Sequence, residues 1–197
     1  MEQRNTPTTD YTADLNDALN ALKTGQTILY PTDTIWGLGC DATNESAVQK
    51  IMAIKNRDAE KSFIVLVSDL DMLCRYVDVI PQPAITLMEY AEKPLTIIYD
   101  KVSGLAESVY ASDGSVGIRW CKDAFCQALI RKLKKPIVST SANFSGMVSP
   151  SNFSEVSPQV IEAAGYVVKH RQREKSKNTA STIFKIKDNG QLIVIRK

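Results

Sequence analysis

The run Phe63-Ile64-Val65-Leu66-Val67 constrains the fold more than any other segment. Consecutive apolar residues over so short a stretch, closed off by polar neighbours, mark a strand covered on both faces. Such a strand needs layers on either side of its sheet. Similar short runs predict strands over 26–30, 95–99, 116–119, 137–140 and 166–168. A terminal hairpin is expected over 182–186 and 192–195, turning at Asp188-Asn189-Gly190. Segments of helical spacing lie between these runs. They cover 14–23, with a stop at Gly25, and 46–56, behind an Asn44 cap. Others cover 70–76, 84–90 (after the breaker Pro81-Gln82-Pro83), 124–133 and 158–164. Strands and helices interleave throughout. This predicts an α/β fold with a twisted mixed sheet flanked by helices, parallel in part and with an antiparallel end.

The 197 residues show no repeat, low-complexity linker or break in composition, so one domain over 11–197 is expected after a loose polar lead-in, 1–10. The 24 Lys+Arg and 22 Asp+Glu give 24 − 22 = +2, too little to mark a nucleic-acid binder by composition alone. The single histidine, His170, excludes a His-rich metal site and leaves a Ser-His-Asp hydrolase only one place to look. No metal-ligating residue is assigned. Chemistry in this chain therefore rests on Lys, Arg, Asp, Ser, Thr and Asn. Cys40, Cys74, Cys121 and Cys126 show no C-x-x-C spacing, and three of them sit among apolar neighbours as small core residues would. The N-terminus lacks an apolar h-region and no apolar run is long enough to span a membrane. A soluble, cytoplasmic protein of a reducing compartment is expected.

Four segments hold more polar groups than a turn needs. Residues 30–41 follow a strand, at the strand's carboxyl end where α/β sheets build ligand sites. Thr32, Asp33 and Thr34 supply hydroxyl and carboxylate groups there, and Gly37 and Gly39 admit a ligand close to the backbone. A cap and tight turn explain the same residues. Residues 55–61 hold Lys55, Arg57 and Lys61, an anion clamp or a solvated helix end. Residues 139–146 gather hydroxyls and an amide that suit phosphate oxygens, or a Ser/Thr-rich turn. Residues 169–177 carry five cations against Glu174, read as a solvated loop with RNA or phosphate binding as the alternative. No Walker A loop occurs.

Taken in order, three of these segments resemble the YrdC family, the threonylcarbamoyl-AMP synthases. They are Tyr30-Pro31-Thr32-Asp33-Thr34-Ile35-Trp36-Gly37-Leu38-Gly39-Cys40-Asp41-Ala42, then Lys55-Asn56-Arg57 leading to Lys61-Ser62-Phe63-Ile64-Val65-Leu66-Val67, then Ser139-Thr140-Ser141-Ala142-Asn143-Phe144-Ser145-Gly146. Smaller matches are Lys93-Pro94-Leu95-Thr96, Val116-Gly117-Ile118-Arg119, Ser181-Thr182-Ile183 and Arg196. The resemblance covers residues 15–196. It implies the YrdC-like fold with an open, positively lined cleft. It also implies a nucleotidyltransferase that makes L-threonylcarbamoyladenylate and pyrophosphate from L-threonine, bicarbonate or CO2, and ATP. Mg2+ travels with the ATP. The product serves threonylcarbamoyl-adenosine modification of tRNA through separate transfer proteins, and members also bind RNA.

Carried over by position, the family tetrad is Lys55, Arg57, Ser141 and Asn143. Thr34, Arg119 and Ser181 correspond to threonine contacts, with Arg119 against the carboxylate. Lys55, Arg57, Lys61, Ser115, Ser141, Asn143, Ser149 and Arg196 correspond to ATP contacts. Asp33 is assigned to orient Thr34 or a water. The chain departs from the family at Asn56, Asp58, Ser62 and Lys93, and has the basic segment 169–177 where many members are Gly-rich. It also stops just after Arg196, so the short, single-domain type is expected. The rival reading is a non-catalytic maturation factor for tRNA or double-stranded RNA, supported by 169–177 and by Arg131, Lys132, Lys134 and Lys135.

Overall fold

A computed structural model describes residues 11–56, 63–187 and 191–197. Among these residues fifteen α-helices and β-strands follow one another: α1 (Thr12–Lys23), β1 (Ile28–Tyr30), β2 (Gly37–Asp41), α2 (Glu45–Lys55), β3 (Ile64–Val67), α3 (Leu70–Leu73), α4 (Gln82–Tyr90), β4 (Leu95–Tyr99), β5 (Val116–Trp120), α5 (Ala124–Leu133), β6 (Ile137–Ser141), α6 (Pro158–Ala163), β7 (Tyr166–Val167), β8 (Thr182–Ile186) and β9 (Leu192–Arg196). The strands form one sheet in the order β7-β1-β2-β6-β3-β5-β4-β8-β9. Parallel pairs are β7–β1, β3–β5 and β4–β8, and the remaining neighbours are antiparallel. The mixed sheet and its antiparallel β8–β9 end agree with the sequence reading. The hairpin's turn residues, Asp188 to Gly190, lie outside the described residues, as does the lead-in 1–10.

Local chemistry sets the helix ends. Asn44 accepts from the Ala47 N–H and starts α2, while Asp123 accepts from the Cys126 N–H and starts α5. Pro81-Gln82-Pro83 lies between α3 and α4 as expected, and α4 starts two residues early, at Gln82, because the first turn of a helix tolerates a residue without N–H. Leu70 to Tyr76 yields only the four residues of α3.

One expectation fails. Gly37–Asp41, read as loop, is the fully buried strand β2. The reason lies in the glycines. A Cβ on Gly39 would stand 2.6 Å from Tyr30 Cε1 and 2.7 Å from the Val138 carbonyl oxygen. The bare backbone is what lets the Tyr30 ring lie across β2, so this glycine serves the core rather than a ligand.

Alternation then divides the sheet. Ile97, Ile118 and Val138 enter the main core with α1, α2, α4 and α5. A second core packs Leu29, Trp36 and Leu38 with Val156 and Val160. On β4, β5 and β6 the residues facing the other way are Thr96, Gly117, Arg119, Ser139 and Ser141, and these floor a cavity. Cys40, Cys121 and Cys126 are buried and all four cysteines are free, with Cys74 exposed. Among the described residues no helix is long and apolar enough to cross a membrane.

Candidate functional site

The cavity measures about 340 Å³, within the range of small-ligand sites. Six sequence-predicted residues line it: Thr34, Arg119, Ser141, Ser149, Ser181 and Arg196. They come from the loop after β1, from β5, from β6 and its following loop, from the segment before β8, and from β9. Phe63, Ile64, Ile98, Ile183 and Ile195 add apolar wall. The only charged side chains among the described lining are Arg119 and Arg196, so the cavity carries positive charge without a lining carboxylate.

Arg119 is buried, its side chain 4% exposed. Its Nη2 stands 3.4 Å from Asp33 Oδ1 as an ion pair, and neither Asp33 Oδ1 nor Arg119 Nε has a hydrogen-bond partner. A guanidinium in such surroundings holds donors in reserve, since buried polar groups are ordinarily bonded. Asp33 therefore reaches Arg119, not Thr34. Arg196 donates to the Ser181 carbonyl from Nε at 3.1 Å and Nη2 at 2.9 Å, and from Nη2 to Ser181 Oγ at 3.3 Å. Burial, and after it the Arg119 charge, draws the Arg196 pKa below its ordinary value.

Two hydroxyl pairs sit on the walls. Thr34 Oγ1 lies 2.9 Å from Thr32 Oγ1, and Thr96 Oγ1 lies 2.8 Å from Ser181 Oγ. The sequence marked Thr32 only as one polar group of 30–41 and Thr96 only within a family match, and assigned neither a substrate contact. A hydroxyl inside the apolar run 95–99 was the available signal for Thr96.

Three predicted residues stand outside the lining. Lys55 ends α2 and is buried, and its Nζ donates to the carbonyls of Ser141 and Asn143, each at 2.6 Å. Its own carbonyl accepts from the Ser145 N–H at 2.9 Å. Lys55 thus ties down the loop that follows β6. Asn143 Nδ2 donates to Phe144 and Met147 carbonyls within the same loop. Ser115 donates to Asp113 Oδ1 at 2.6 Å. Arg57 and Lys61 lie outside the described residues.

The basic surfaces are partly spent on structure. Arg171, with φ of 66°, bonds the Thr32 carbonyl at 3.2 Å, Asp123 at 2.8 Å and Glu174 at 2.7 Å. It braces the loop bearing Thr34 instead of facing solvent as the charge run suggested. Lys135 pairs with Asp41 at 2.7 Å and Arg131 with Asp69 at 3.9 Å.

The Sua5/YciO/YrdC family model, described as telomere recombination, matches residues 20–197. The chain belongs to this family. Among Sua5/YciO/YrdC relatives, a threonylcarbamoyl-AMP synthase of Idiomarina loihiensis is 32% identical over 154 residues, 77% of this chain and 82% of that protein. One of Pseudoalteromonas translucida is 29% identical over 178 residues, 89% of this chain and 94% of that protein. The Pyrococcus abyssi Sua5 structure in complex with L-threonine superposes with a TM-score of 0.81 at 24% identity. It matches 92% of this chain, which spans about half (53%) of that Sua5 chain.

Proposed function

We propose that this chain is a threonylcarbamoyl-AMP synthase, joining L-threonine, bicarbonate or CO2, and ATP into L-threonylcarbamoyladenylate and pyrophosphate. The observation that carries the reading is the pair of arginines, Arg119 and Arg196, facing one cavity with no carboxylate among its described lining residues. Relatives covering most of this chain bear that enzyme's name, and an L-threonine complex is known for a protein of the same fold.

The residues present suit the chemistry. An N-carboxylated threonine attacks the α-phosphorus of ATP through its carbamate oxygen, and pyrophosphate leaves. That step needs alignment and charge neutralisation more than a protein nucleophile. Arg119 takes the threonine carboxylate, with Thr34 and Ser181 fixing the rest of the amino acid. Arg196, Ser141 and Ser149 take the nucleotide, together with Arg57, Lys61 and Ser115. Lys55 and Asn143 act by shaping the loop after β6, and so support the phosphate site from behind. Mg2+ arrives bound to the triphosphate, as hard cations with retained waters do. The product passes to tRNA in the cytoplasm through separate transfer proteins. Residues 1–10 lie outside the catalytic domain in this reading.

The test is pyrophosphate release from ATP in bicarbonate buffer, with and without L-threonine. Release that depends on threonine is expected. Release indifferent to threonine, or none, overturns the reading.

A further inference from the structure

Hydroxyl groups reveal their polarity when their partners are counted, because each carries one proton and accepts through two lone pairs. Thr32 Oγ1 has three partners. It lies 2.8 Å from the Ile35 carbonyl oxygen, which can only accept, so the Thr32 proton points there. It receives the Thr34 backbone N–H at 3.0 Å. Its third neighbour is Thr34 Oγ1 at 2.9 Å. With its proton already given away, Thr32 can only accept from Thr34. The Thr34 hydroxyl proton is therefore turned back toward Thr32, and Thr34 shows the cavity lone pairs alone.

The opposite wall has the reverse polarity. Thr96 and Ser181 share a single hydrogen bond, so one of their two protons is left over to donate. Arg196 and Arg119 only donate. The two arginines and the Thr96–Ser181 pair thus ask for an acceptor, whereas Thr34 asks for a donor.

We infer that Thr32 is a positioning residue that sets Thr34 as an acceptor and so selects ligands presenting an N–H at that point. The inference rests on the threonine reading above and deepens it. A free amino acid places its carboxylate on Arg119 and its ammonium on Thr34. The polarity also survives the reaction. When the amine is carboxylated, R–NH2 plus bicarbonate gives the carbamate R–NH–CO2⁻ and water, and the nitrogen keeps one N–H for Thr34. A ligand with a bare carbon in place of nitrogen leaves the Thr34 lone pairs unmatched in a buried wall, where Thr34 is 4% exposed.

The experiment compares L-threonine as substrate with 3-hydroxybutyrate, the same acid without its amine, as competitive inhibitor. In the wild-type protein the inhibition constant should exceed the threonine KM by about 100-fold, in line with a site built to pair a polar group. In Thr32→Val the Thr34 hydroxyl is free to turn, and that ratio should shrink about tenfold while the KM for ATP stays within about twofold. Thr32→Ser keeps the oxygen and should restore the wild-type ratio. Thr34→Val leaves the Thr32 bond to Ile35 in place and should collapse the ratio as well, which covers the case of a poorly folded Thr32→Val. A ratio unchanged in both valine variants overturns the role of Thr32 and Thr34 while leaving the synthase reading intact. No threonine turnover by the wild-type protein overturns both.

Discussion

Arg119 and Arg196 face one cavity from opposite kinds of strand. β5 lies inside the sheet between β3 and β4, and Arg119 is sealed there with Asp33 as its counter-charge. β9 is the sheet's edge, with Leu192, Val194 and Ile195 exposed, and Arg196 is held through the backbone and hydroxyl of Ser181. The inner arginine is fixed by its surroundings and poor in hydrogen bonds. The outer one is rich in hydrogen bonds and open to solvent. One cavity thus combines a desolvated charge, strong because water is excluded, with a screened one that adjusts to its ligand.

Substitutions test that contrast. Arg119→Ala should cost most, about 100-fold or more in kcat/KM for threonine, since the substrate carboxylate would meet a buried wall with no partner. Arg119→Lys should recover little of it, because a point charge replaces the planar fork. Near-normal turnover in either variant would break the comparison at its inner side. Lys55→Met comes next. It takes the ammonium from the Asn143 and Ser141 carbonyls, of which the Ser141 carbonyl keeps the Asn143 N–H, and should lower stability by about 1–3 kcal/mol, measured by urea unfolding, with activity falling as the loop after β6 loosens.

Arg196→Ala should weaken ATP binding about tenfold and leave the melting temperature nearly unchanged, as suits an edge position. It should also flatten the rise of the ATP KM with added salt, whereas Arg119 variants should keep that salt dependence. Glu45→Gln is the remote control. Burial opposes the Glu45 charge, but hydrogen bonds from Ser108 and Gln49 outweigh it and hold the carboxyl below its ordinary value. A lowered carboxyl stabilises the fold above the unfolded value of about 4.3, and that contribution disappears as pH falls through the folded value. The variant should show a shallower loss of stability below about pH 4 and unaltered kinetics at neutral pH.

Much of the frame was legible because strands buried on both faces, such as 63–67, announce themselves by apolar continuity. β2 did not, since Gly37 and Gly39 carry no strand preference and the reason for Gly39 is the Tyr30 ring from a neighbouring strand. The site residues were legible as a family pattern, and six of them converge on one cavity. Their partners were not. Spacing along the chain shows that Lys55 is cationic but not that two carbonyls 86 and 88 residues away occupy its ammonium. Arg171 reads as one charge in a run until its contacts with Thr32 and Asp123 are seen. Hydroxyl polarity lies further still from sequence, because it depends on where each proton has already gone.

The cavity takes its lining from Thr34 through to Arg196. A chain emerging from the ribosome thus exposes Thr34 well before Arg196, with β2 to β9 made in between. Pairings of such wide sequence separation form late and slowly. No partial product of synthesis holds the full set of charges, so substrate capture itself reports that translation and folding have reached β9.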